Sequence, residues 1–135
     1  TSPLITSGIE KAPQERWTVS ATAANTTVTF DVTAQGVLYY TANATANWTL
    51  AATNVNSSLA VGDAISIIFA VTNGTTAYRP TAMTIDGAAV TPKWAGGTAP
   101  SAGNASAVDR YSYVIVKTAA TPTYTVFAGQ SAKFA

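Results

Sequence analysis

Residues 64–91 read AISIIFAVTNGTTAYRPTAMTIDGAAVT, and this stretch decides the fold class. Ile65, Ile67, Phe69 and Val71 alternate with smaller or polar positions, the period of a strand that turns one face to a core. Asn73-Gly74 follows at once, and Asp86-Gly87 stands between residues 82–85 and 88–91. Both dipeptides tolerate positive φ at two successive positions, which a two-residue type I′ hairpin demands. Two such signals between alternating segments predict an antiparallel meander.

The same period extends outward in both directions. Trp17, Val19 and Ala21 alternate with Thr18, Ser20 and Thr22, and Val28, Phe30 and Val32 repeat the pattern beyond Asn25. GVLYYT (36–41) and TANWTLA (45–51) continue it, the second with Ala46, Trp48 and Leu50 on one side. Downstream, RYSYVIVK (110–117) sets Tyr111, Tyr113 and Ile115 against Ser112, Val114 and Val116. Both of its faces are apolar enough to place it centrally in a sheet. Thr123 to Ala128 forms the last full strand. Between the strands lie an Asn/Ser-rich loop (52–61) and a long Gly/Ala/Ser/Pro loop, AGGTAPSAGNASAVD (95–109). No segment carries a helical period, and β-branched residues dominate the strand runs. The expected fold is all-β: a single antiparallel β-sandwich, jelly-roll-like, over residues 17–135 behind a short extended N-terminal arm at 1–16.

The arm holds Pro3, Pro13 and the charges of Glu10, Lys11, Glu15 and Arg16, with no sustained period. Leu4, Ile5 and Ile9 are its apolar contacts, candidates for an anchor that orders on docking to a neighbouring protein, with a loose terminal tail as the alternative.

Composition bounds the chemistry. The chain has 135 residues, enough for one self-sufficient core, and is 47% hydrophobic but only 10% charged. A net charge of +1 provides no field to draw in nucleic acid or an anionic membrane. The best apolar run, residues 65–71, is far shorter than the roughly 20 residues of a spanning helix, so no membrane insertion is expected. Cysteine and histidine are both absent, which removes disulfides, thiolate catalysis and the common zinc sites. General acid–base work would fall to Glu10, Glu15, Asp31, Asp63, Asp86 and Asp109, which show no paired spacing. The expectation is therefore a protein without catalytic residues, cofactor or metal. Asp63 and Asp109, beside strand starts, lack an Asp-x-Asp-x-Asp calcium loop and read as turn or cap residues.

Three positions stand out as candidate contacts with a receptor or a neighbouring subunit. Trp94 sits beside the long loop, where its ring could stack on a sugar ring, and Tyr78 with Arg79 forms an aromatic–cationic pair in TTAYRP. The alternative is a core or interface place for Trp94, and for Tyr78 a packing role with Arg79 as its solvated neighbour.

VGDAISIIFAVTNGTTAYRP (61–80), MTIDGAAVTPKWAGGTAPSAGNASAVDRYSYVIVKTA (83–119) and the ending YTVFAGQSAKFA (124–135) resemble the C-terminal β domain of tailed-phage virion proteins. These are tail fibre or structural proteins, particularly of phages of cyanobacteria and marine bacteria. SGIEKA, TVSATA and VLYYTANATANWTL at the front also fit, so the resemblance covers nearly the whole chain; IDG paired with PKWAGGTAPSAGNAS is its most specific part. The resemblance implies a non-enzymatic structural protein on the virion surface, of tail fibre or tip type, involved in assembly, with a candidate role in host attachment through a host-surface glycan. Its implied partners are other tail or capsid proteins and further copies of itself, a homotrimer being favoured. A capsid decoration protein is the alternative, with a bacterial adhesin or carbohydrate-binding module behind it.

Overall fold

The computed structural model describes Gly8 and residues 11–135. Leu4, Ile5 and Ile9 of the expected docking arm lie outside the described residues. Among the described residues the strands are β1 (Trp17–Ala23), β2 (Thr27–Asp31), β3 (Val37–Asn43), β4 (Trp48–Thr53), β5 (Ala64–Asn73), β6 (Pro80–Ile85), β7 (Ala88–Val90), β8 (Lys93–Trp94), β9 (Ala107–Ala119) and β10 (Thr123–Phe134). A single helical turn, α1 (Val55–Ser58), precedes β5, and a 3₁₀ turn (Ala95–Gly97) follows β8. The strands form two sheets, a large one ordered β1-β3-β5-β9-β10-β8 and a small one ordered β2-β4-β6-β7. The fold is thus an all-β sandwich, as the alternating patterns require.

Pairing within the sandwich is mixed, not antiparallel throughout. From β1 to β6 the chain changes sheet at every step, so each strand returns parallel to the one before it in its own sheet: β1 on β3, β3 on β5, β2 on β4 and β4 on β6. The corners between sheets stack on one another. Thr45 N–H donates to the Ala24 carbonyl at 2.9 Å, and Ala44 N–H to Thr72 at 2.8 Å. Ala24 and Ala44 are buried there, small enough to let the chain turn against the core. Antiparallel pairing is confined to the second half, with β9 between β5 and β10, and β6 against β7, while β8 runs parallel to β10. The central place expected for residues 110–117 is the one β9 occupies.

The two turn signals part company. Asp86 and Gly87 have φ of 48° and 85°, and Ile85 pairs with Ala88 across them, so this is the type I′ hairpin. Asn73-Gly74 is not a hairpin: neither residue has positive φ, and the chain crosses there from β5 in the large sheet to β6 in the small one. Asn73 is instead buried, its side chain accepting the Tyr78 N–H at 3.1 Å and holding the crossover closed.

Parallel stacking builds the core in columns. Val28, Leu50 and Met83 lie side by side in the small sheet, with Phe30, Ala52 and Ile85 as the next column, all buried. Facing them are Leu38, Ile67, Phe69, Val71, Tyr111, Tyr113, Ile115 and Val126 of the large sheet. Trp48 joins the layers, its ring edge-on to Phe69 at 5.6 Å and to Tyr111 at 5.9 Å.

The segment 52–61 is more ordered than a loop. β4 runs to Thr53, and α1 is held at both ends by distant groups in addition to the Ser57 and Ser58 hydroxyls, which donate to the Asn54 carbonyl. Asn54, at the N-cap position, makes no side-chain cap. Asp86 accepts the N–H groups of Val55 (3.2 Å) and Asn56 (2.7 Å) in its place, and the buried Lys117 ammonium donates to the Leu59 carbonyl at 2.9 Å.

Candidate functional site

Four regions carry the polar and apolar groups left over from core packing. The first is the long loop after Trp94, which a buried carboxylate ties down. Asp109 is fully buried and accepts the Asn104 N–H (2.8 Å), the Asn104 side-chain amide (2.9 Å) and the Lys133 N–H (3.0 Å), with Asn73 Nδ2 at 3.4 Å. Gly103 passes so close to this cluster that a Cβ would meet the Tyr78 carbonyl and lie 2.8 Å from Asn73 Nδ2. Asp109 therefore joins the loop, the β5–β6 crossover and the C-terminal strand. Asp63 plays a local turn role, accepting the Ala60 N–H at 3.2 Å.

The second region contains the three aromatic and cationic candidates. Arg79 and Trp94 come together around a small cavity of about 50 Å³, also lined by Met83, Ala99 and Tyr113. That volume suits a water or two, not a sugar ring. The Trp94 ring is half-buried and edge-on to Tyr113 at 5.9 Å. Tyr78, next to Arg79 in the chain, instead borders a separate shallow depression with Asn43, Ala44 and Gly74. The trio is not one convergent site.

The third is the outer face of the large sheet. In β1 the apolar residues point outward: Trp17 is 45% exposed and Val19 61%. Ile68, Val114 and Phe127 (52% exposed) continue the same face across β5, β9 and β10, since Trp17 lies beside Val37, Val37 beside Ile68, and Val114 beside Phe127. Arg110 and Lys93 are charges on this face, and the Glu15 carboxylate joins it at the β1 edge, accepting the Trp17 indole N–H at 3.3 Å.

The fourth is a cleft of about 610 Å³ between the β6–β7 hairpin and the start of β10, lined by Asn56, Ile85, Asp86, Ala88, Val90 and Tyr124 among others. It exists because the large sheet extends beyond the small one: β7 ends the small sheet, whereas β10 and β8 continue the large. The Tyr124 hydroxyl is buried without a hydrogen-bond partner, and burial, with the nearby Asp86 carboxylate, raises its pKa. No local pattern announces this cleft, because strand numbers per sheet are not written in periodicity.

Among the described residues no three acidic side chains gather in a group that could hold a metal ion, and no helix is long and apolar enough to cross a membrane. Comparison with known proteins returns no match to any family model, to any curated protein or to any solved structure.

Proposed function

We propose that this chain is a non-enzymatic structural subunit on the surface of a tailed bacteriophage particle. It is a tail fibre or tip-type domain that packs against its neighbours and takes part in host attachment. The observation that carries this reading is the outer face of the large sheet. Trp17, Val19, Val114 and Phe127 stand exposed on a domain with few charges, and such a face is suited to burial against another subunit. The resemblance of PKWAGGTAPSAGNAS and its flanking strands supplies the phage context. Low charge suits a particle exposed to changing salt, because little stability then depends on screened ion pairs. The partners are other virion proteins and further copies, with a trimer favoured.

Quantitative mass spectrometry of purified particles, with antibody-labelled electron microscopy, tests the reading. A few copies in multiples of three at the tail are expected. Hundreds of copies on the capsid would make the chain a decoration protein, and absence from particles would overturn the proposal.

A further inference from the structure

We infer that the cleft beside β7 is a strand-addition site, and that it receives the N-terminal segment around Leu4 and Ile5 from a second copy of this chain. In the β6–β7 hairpin Ile85 and Ala88 flank the two-residue turn as a hydrogen-bonded pair. The next pair, Thr84 and Ala89, is then of the wide type, which turns the Ala89 N–H and C=O away from β6 toward the open side. β7 is the last strand of its sheet and reads AAV, with none of the lysines, prolines or bulges that blunt an edge. A strand added roughly 4.8 Å beyond it would lie over Tyr124 and supply the layer that β10 lacks.

The chemistry of the cleft selects the occupant. Among the described residues its one carboxylate, Asp86, is engaged through both oxygens by the N–H groups of α1, and its other lining residues are uncharged. An uncharged, extended, β-prone segment is required. SPLITSGI (2–9) is free of charge and carries Ile5 and Thr6, good strand formers, beside Leu4. In sequence this segment precedes β1, which stands at the opposite edge of the large sheet, roughly 19 Å from β10 across β3, β5 and β9. A second copy set head to tail delivers it directly. Head-to-tail contacts close into rings or run on as filaments, and a ring of three accords with the favoured trimer. The inference rests on reading the chain as an assembling subunit, but its test uses purified protein, so its failure leaves the particle copy number untouched.

The absence of cysteine makes the experiment clean. Full-length Leu4→Cys, Ile5→Cys or Thr6→Cys protein is mixed with full-length Ala88→Cys protein under mild oxidation, and covalent two-chain species are measured. A yield about tenfold or more above that with Ala51→Cys, on the outer face of the small sheet, is expected. Adding Ala89→Pro to the Ala88→Cys chain removes the outward N–H while sparing the ladder to β6, and should lower the yield. Equal yields at residues 88 and 51 would overturn the site. Preferential closure within one chain of an Ile5→Cys/Ala88→Cys variant would overturn the second copy as occupant.

Discussion

The Asp109 carboxylate, fully buried at the inner face of β9, accepts the Asn104 backbone N–H at 2.8 Å and so fastens a loop otherwise made of Gly, Ala, Ser and Pro. The Lys133 N–H reaches the same carboxylate at 3.0 Å, which ties the end of β10 to this point as well. Asp109→Ala would leave these N–H groups and Asn73 Nδ2 without their acceptor in a closed environment. A loss of about 2–5 kcal/mol in unfolding free energy is expected. Urea titration checks it: the midpoint should fall with an unchanged slope, and a shift worth less than about 1 kcal/mol would show that the loop does not depend on this carboxylate.

Gly103 and Gly96 lie in the same loop region yet should respond differently to alanine. At Gly103 the new Cβ meets the Tyr78 backbone carbonyl, which cannot swing aside. At Gly96, with φ of 79°, nothing lies within 4 Å, so only backbone strain is added. Gly96→Ala should cost about 1 kcal/mol and Gly103→Ala about 2 kcal/mol or more, through overpacking against fixed backbone. Thermal unfolding of the two variants side by side decides it, and equal losses would contradict the close approach.

Asp86 serves two elements at once, the hairpin turn and the N-terminus of α1. Asp86→Asn keeps a residue that tolerates its φ of 48° and retains an acceptor oxygen. Asp86→Ala loses both cap bonds, at about 1 kcal/mol, and adds strain in the left-handed region. The expected order of melting temperature is wild type, then Asp86→Asn, then Asp86→Ala. Amide exchange should rise at Val55 and Asn56 first.

The contrast between Asp86-Gly87 and Asn73-Gly74 shows where local reading stops. Alternation identified the core face of β5 correctly and separated the two faces of β9, because burial on one side imposes a period of two whichever way a neighbouring strand runs. For that reason it cannot tell parallel from antiparallel pairing. The distinction depends on whether the chain after Asn73 stays in its sheet or crosses, and Asn73 crosses, with its side chain bonded to Tyr78. β1 shows a second limit: Trp17, Val19 and Ala21 form the apolar side, but at the sheet edge that side faces outward. The Asp86 cap and the cleft over Tyr124 join residues far apart in the chain and leave no local signal. Leu4, Ile5 and Ile9 lie outside the described residues, whereas Tyr78, Arg79 and Trp94 are half-buried around two separate depressions.

Tyr113 offers a pH test with a definite sign. Its hydroxyl is buried in the core without a hydrogen-bond partner, and burial, reinforced by the neighbouring Tyr111, raises its pKa. A folded pKa above the ordinary value near 10 means that the folded state holds the proton more tightly than the unfolded chain. The resulting stability is fully present below about pH 10 and is lost as pH rises through the folded value. Tyr113→Phe deletes the unpartnered hydroxyl and keeps the ring packing against Trp94. The variant should match or exceed wild type by up to about 1 kcal/mol near neutral pH, and should lose less stability above about pH 10. Denaturant midpoints measured on both sides of that value check the two claims together. A variant weaker by more than about 1 kcal/mol at neutral pH would mean that the hydroxyl is hydrogen-bonded after all. An unchanged alkaline slope would assign the pH sensitivity to Tyr111, whose pKa burial also raises.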